Sequence, residues 1–197
     1  MNMPKPANDD RFLTGKLLLA MPAIDDERFS RSVIFICAHD ENGAMGLVLN
    51  REMAGLNLDK LIEDLELDAS ELDIIDEDAF QIFEGGPVEI ARGFLLHGTD
   101  YEREDTVPVT DEFRVTGTIE GLAALLQGKG PAQYRFILGY AGWTAGQLDH
   151  EVQDNAWLVI DATPELVFDC APDEQWEAAV KTLGFDPAML STAAGRA

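Results

Sequence analysis

Apolar positions in the first quarter of the chain come as short continuous runs separated by turn residues. Residues 17–20 form one run, closed by Pro22 and the charged cluster 25–28, and predict a strand. Residues 33–38 form a second, rich in β-branched side chains, as suits a central strand buried on both faces. Asp40, Glu41, Asn42 and Gly43 make a turn, and 46–49 return, so residues 32–50 read as a hairpin. The period then changes. Asn57 caps a short helix with Leu58, Leu61, Ile62 and Leu65 on one face. Residues 80–83 and 93–96 read as strands on either side of a turn at Gly85, Gly86 and Pro87.

Farther on, Thr118 caps a helix carrying Ile119, Leu122, Ala123 and Leu126, which the glycines and proline of 128–131 stop. Residues 134–140 predict a strand, 144–154 a helix and 157–160 a strand. Thr163 and Pro164 open a short helix. Trp176, Ala179, Val180 and Leu183 form a last helical stripe, ended by Gly184, and Asp186 and Pro187 begin a short turn. Strands come first and helices alternate later. The fold expected is α/β, a single compact domain with a mixed, largely antiparallel β-sheet flanked by short helices. Residues 1–12, polar and without periodicity, read as a flexible N-terminal tail, and 13–197 as the domain.

The chain has 197 residues, and 46% apolar content is enough for one sizeable core. It excludes a disordered acidic polymer, and two cysteines exclude a disulfide scaffold. Fourteen basic against thirty-seven acidic residues give a net charge of −23. Spread over a surface of about 9,000 Å², that is about one net negative charge per 400 Å². Such a field repels nucleic acid and anionic lipid, so neither is expected as a direct partner. Residues 57–80 hold ten acids and one Lys, and residues 100–112 hold six acids and one Arg. Both runs suit a solvated face or a docking site for a basic protein. No apolar run approaches the length of a membrane span, and Asp9 and Asp10 stand where a signal peptide would be basic, so the cytoplasm is expected.

Motifs for chemistry are sparse. Cys37 and Cys170 are too far apart for a zinc motif, His150 lacks a second His four residues on, and 64–75 fails the calcium-loop pattern at Ala69 and Ile75. No cofactor or metal is expected, and no catalytic residue is assigned. Cys37 and His39 lie two apart on a strand, which puts them on one face, but Cys37 sits in the most apolar run and reads as a core thiol. Gly142, Trp143 and Thr144 predict a glycine turn into a helix, with Thr144 and Gln147 at capping-box spacing. That turn either holds a small anion or simply caps a helix whose Trp enters the core. His97 ends a strand beside Gly98, suited to a functional imidazole or to a bond with a loop carbonyl. Asn50 and Arg51 end the second hairpin strand, and Arg51 would hold an anion or a neighbouring carboxylate.

Four ordered blocks carry a resemblance. They are the residues from Gly15 to Pro22 with Phe29, Ser32 and Val33; those from Gly46 to Arg51; Gly85, Gly86, Pro87 and Val88 with His97; and those from Gly139 to Trp143 with Gly146, Gln147, Leu148, Glu151, Asn155 and Trp157. The pattern resembles the YqgE/AlgH family from about residue 14 to the C-terminus, departing at Glu52, where Pro is common, and Asp149, where Glu is usual. The resemblance implies a bacterial α/β protein without assigned catalytic residues or cofactor, and a link to transcriptional regulation. With it, the residues favour a non-enzymatic binding or regulatory protein: a monomer with a protein partner, a basic one by charge, that affects transcription indirectly. The alternative is a small-ligand or anion-binding protein, or an enzyme, using Asn50, Arg51, His97, Gly142, Trp143 and Thr144.

Overall fold

Leu17, Leu18 and Leu19 are all fully buried, which a strand allows when both its faces are covered. The computed structural model describes residues 11–22, 24, 26–53, 62–63, 80–117, 119–184, 186 and 190. Its nine strands are β1 (Lys16–Ala20), β2 (Val33–Asp40), β3 (Gly43–Val48), β4 (Ile82–Glu84), β5 (Val88–His97), β6 (Thr106–Pro108), β7 (Arg114–Thr116), β8 (Tyr134–Thr144) and β9 (Trp157–Asp161). They form one sheet in the order β6-β7-β5-β8-β3-β2-β1-β9, with β4 added beside β8. Every pairing is antiparallel except β4 with β8. The mixed, largely antiparallel sheet of the α/β expectation is what the chain forms.

The helices cover that sheet. They are α1 (Ile119–Leu126), α2 (Gln147–Gln153) and α3 (Pro172–Lys181), with a π-helical turn at Glu165–Asp169. Alternation along each strand feeds two layers. Leu17, Leu19, Val33, Phe35 and Leu47 join Trp176, Ala179 and Val180 of α3 on one face. Leu18, Ala20, Ile34, Ile36 and Val48 join Trp143, Trp157 and Leu148 of α2 on the other. A third cluster, Ile82, Leu95 and Phe136, lies with Leu122, Leu125 and Leu126 of α1. Among the described residues, no helix is long and apolar enough to cross a membrane.

Some elements depart from the sequence reading. The acidic run 100–112 contributes β6 to the sheet. Leu183, expected in the last helical stripe, falls beyond the end of α3 and is partly exposed. Strand β2 carries a bulge: Ile36 pairs with Gly46 but Ala38 with Met45, so Cys37 is the extra residue. The bulge reverses the alternation, so Cys37 packs in the first layer while His39 pairs with Ala44 of the second. The expected shared face for Cys37 and His39 is therefore not formed. Of the expected tail, residues 1–10 lie outside the described residues, while Phe12 sets its ring edge-on to His39. Of the helix expected from Asn57 to Leu65, Ile62 and Glu63 are described; both are helical, and Ile62 packs on the third cluster. The rest of that helix, most of the acidic run 57–80, the Thr118 cap and Pro187 lie outside the described residues.

The chain makes one tight manoeuvre. At Phe136–Leu138, β8 has β4 along one edge and β5 along the other. Residues 85–87 join β4 to β5, so they cross the face of β8 at Gly139 and Tyr140. A Cβ on Gly85 would lie 2.3 Å from the Gly139 carbonyl oxygen, and one on Gly86 would lie 2.3 Å from the Tyr140 carbonyl carbon. Gly139 has φ +74°, and its own Cβ would lie 2.6 Å from the Gly86 oxygen. Gly142, by contrast, lies in regular strand opposite Met45, and a Cβ there would meet nothing nearer than 3.5 Å. Gly85→Ala and Gly139→Ala should therefore each lower stability by at least about 3 kcal/mol, and Gly142→Ala by less than about 1 kcal/mol. Urea unfolding of the three variants checks this, and equal losses would contradict it.

Candidate functional site

Strand β8 is the ruler against which the candidate residues are placed. His97 pairs with Tyr134 at its start, and Gly142, Trp143 and Thr144 lie at its end opposite Met45, Ala44 and Gly43. The separation along the strand is about 25–30 Å. Arg51 lies between them, its carbonyl accepting the Glu84 N–H at 2.8 Å. Asn50 and Arg51 are therefore together, Gly142, Trp143 and Thr144 are together elsewhere, and His97 is in a third place.

Each is tied into backbone or side-chain bonds. The Asn50 carbonyl accepts the Val33 N–H at 2.9 Å, and its amide donates to the Arg31 carbonyl at 2.9 Å, bracing the start of β2 against the end of β3. The Arg51 guanidinium donates to the carbonyl of Glu27 at 3.2 Å, beside the 3-10 turn Glu27–Phe29, and its charge helps to hold the nearby Asp26 carboxyl below its ordinary value, after the larger effect of Arg28.

The glycine turn into a helix is corrected. Strand β8 continues through Gly142, Trp143 and Thr144, and the turn comes at Ala145 and Gly146. Gly146 is the N-cap of α2 with φ +71°, so the helix starts at Gln147 and not at Thr144. Half of the expected capping box survives in a different setting. The Thr144 N–H and hydroxyl both donate to Gln147 Oε1, at 3.0 and 3.1 Å. Gln147 donates to Glu151 Oε1 at 2.9 Å, and Glu151 Oε2 accepts the indole N–H groups of Trp143 at 2.8 Å and Trp157 at 2.7 Å. One carboxylate thus satisfies two buried indoles from strands that are not neighbours, and Trp143 belongs to the second layer.

His97 is fully buried in a polar ladder. The Gly98 carbonyl can only accept, so His97 Nδ1 carries a proton and donates to it at 2.8 Å. With the ring neutral, Nε2 accepts the Thr116 hydroxyl at 3.0 Å, and Thr116 in turn accepts from Thr106 at 2.8 Å. The Arg103 N–H donates to Thr106 Oγ1 at 2.9 Å. Desolvation by burial holds the imidazole below its ordinary value of 6.5, the Gly98 bond opposing it.

Burial likewise pushes the Cys37 thiol up, as befits a core group. Among the described residues, no group of three His, Cys, Asp or Glu side chains is placed to hold a metal ion.

Two adjoining depressions flank the start of β8, and no local motif marks either. One, of about 330 Å³, is lined by Asp100, Asp111, Glu112 and Gln133. The other, of about 520 Å³, is lined by Gln81, Gln133, Tyr134, Arg135, Cys170 and Pro172, among others. Arg135 is buried to 4% exposure, a single cation in a strand that no motif marks.

The ladder makes His97 a source of pH dependence. Below about pH 6.5 the unfolded chain takes up a proton that folded His97 resists, so stability falls as the pH drops through that window. His97→Asn should remove this component, by up to about 1.4 kcal/mol per pH unit of slope. Urea midpoints of wild type and variant between pH 7.5 and 5 measure it, and parallel profiles would show that His97 gains its proton in the fold as readily as in the unfolded chain.

Comparison with known proteins places these features. Residues 17–188 match the family model described as AlgH-like. A UPF0301 protein of Rhizorhabdus wittichii is 46% identical over 188 residues, covering 94% of this chain and 97% of the relative. A UPF0301 protein of Ruegeria pomeroyi is 47% identical over 186 residues, covering 94% and 99%. The solution structure of the AlgH protein from Pseudomonas aeruginosa superposes with a TM-score of 0.77 at 38% identity, covering 100% of both chains. A crystal structure of a Corynebacterium diphtheriae protein shares the fold, with a TM-score of 0.65 at 20% identity over 96% of this chain and 92% of that one. With a family model spanning most of its length and relatives this similar, the chain belongs to the AlgH-like family.

Proposed function

We propose that this protein is a non-enzymatic binding protein whose partner is a basic protein. The observation that carries this reading is the acidic segment 100–112, where Arg103 stands alone against six acids and is itself paired with Asp105 at 3.7 Å. Glu102, Glu104 and Glu112 are exposed along it, and Val107 in β6 adds an apolar residue at 60% exposure. Carboxylates of one sign around an apolar contact suit a docking face for Lys- and Arg-bearing surfaces. The polar groups that looked available for chemistry hold structure instead. Asn50 and Arg51 brace carbonyls, and His97 closes a ladder beneath this same segment. The reading includes a monomer acting in the cytoplasm, with any influence on transcription passing through the protein partner and not through contact with nucleic acid.

Recovery of the tagged protein from its native host at low salt, followed by native mass spectrometry, tests it. The wild type should carry a stoichiometric basic protein that dissociates as salt rises. A variant with Glu102→Lys, Glu104→Lys and Glu112→Lys should lose the partner while keeping its melting temperature. A partner retained by that variant at high salt, or a wild type recovered alone, would overturn the proposal.

A further inference from the structure

The cleft of about 520 Å³ beside Arg135 has the makings of a receptor for one negative charge. The guanidinium is held along one edge: Nε donates to the Val167 carbonyl at 2.6 Å and Nη2 to the Cys170 carbonyl at 2.9 Å. Its face lies over the Phe83 ring, 4.7 Å from the centroid. No carboxylate lies within ion-pair distance of it among the described residues. Desolvation lowers its proton affinity, opposed by the neighbouring Cys170 and by the Glu52 carboxylate. A cation this deep with no carboxylate in contact is costly to the fold unless something else favours it.

The other edge of the group is free. Nη1 has no protein partner among the described residues, and it is not sealed from solvent. It belongs to the side chain that lines the cleft. The Nη1–Nη2 edge of a guanidinium matches the two oxygens of a carboxylate. The first turn of α3 faces the same space, for Ala171 and Pro172 also line the cleft. Ala171 is the N-cap of that ten-residue helix and offers no side-chain acceptor; Pro172 has no N–H and the Glu174 N–H donates to the Ala171 carbonyl at 3.1 Å, so the Asp173 N–H is the donor this end presents. Asp169, which lines the cleft and accepts from the Gln133 amide at 2.7 Å, and Asp173 and Glu174 in the first turn of α3 limit the charge that the cleft tolerates. One arginine and one helix end among acidic neighbours suit a singly charged carboxylate better than a doubly charged phosphate.

We propose that the Nη1–Nη2 edge of Arg135, at the uncapped N-terminal end of α3, binds a carboxylate group from outside the chain. The group belongs either to a small organic acid or to the C-terminal end of a polypeptide. This site is separate from the exposed acidic segment, and the inference does not rest on that segment's role.

The test uses the full-length protein and backbone amide NMR shifts of residues 132–135 and 170–174. Benzoate is one probe. The others are a lysine-rich hexapeptide with a free C-terminal carboxylate and the same peptide as its C-terminal amide. The free-acid peptide or benzoate should shift these amides saturably, with the acid form at least tenfold tighter than the amide form. An amide peptide that binds as tightly as the acid peptide binds, or no shift with any of the three probes, would overturn the site; saturable binding of benzoate with neither peptide bound supports a small acid. Tenfold tighter binding of the peptide acid than of benzoate supports a polypeptide terminus as the source. Equal or tighter binding of benzoate supports a small acid. Arg135→Lys keeps the charge and removes the fork, so it should lose the acid-over-amide preference. Should that variant fail to fold, the wild-type comparison decides alone.

Discussion

Between β4 and β5 the chain has three residues in which to pass from one edge of β8 to the other, and this crossing is the constraint on which the remaining architecture depends. Backbone passes over backbone with no room for a side chain at Gly85, Gly86 or Gly139. Because the crossing is this close, β4 can lie between β8 and the extension of β3. Glu52 bridges to Phe83, the Gly85 N–H donates to the Leu138 carbonyl, and the Val48 N–H donates to the Gly85 carbonyl. Two of the sequence blocks that carry the family resemblance, around Gly85 and around Gly139, are thus the two halves of one contact.

That arrangement determines which polar groups are available. The end of β8 is occupied by the Trp143, Gln147, Glu151 and Trp157 network, and the middle by the Asn50 and Arg51 braces. The start of β8 is different. There the strand pairs with β5, whose last residue His97 supports the acidic segment through Thr116 and Thr106. On the same stretch Arg135 reaches the carbonyls of the turn that precedes α3. The acidic segment and the buried guanidinium edge adjoin one another through Gln133.

Much of the sheet was legible because its signal is local. Leu17, Leu18 and Leu19, or Val33 through Ile36, announce strands buried on both faces, and the structure pairs them with each other. The loop carbonyl on His97 was among the readings of its place beside Gly98. What was not legible depends on partners distant in the chain. Gly85, Gly86 and Pro87 read as a turn, since a turn and a crossing use the same glycines and differ in what lies beneath. The conformational demand fell on Gly139 instead of Gly142 because the crossing is at Gly139. The bulge at Cys37 has no residue signature of its own, yet it sends His39 to the opposite layer. Arg135 was missed for the same reason: one arginine in a strand shows nothing until the fold buries it against Val167 and Phe83.

The crossing over β8 is a fixed point of the fold and not a surface turn. Native-state hydrogen exchange at the Gly85 and Val48 amides tests it most directly, since each donates across the crossing, at 2.8 and 3.0 Å. Both should exchange through global unfolding, with the denaturant dependence of the whole molecule. Exchange of either amide by local opening, insensitive to denaturant, would contradict the account.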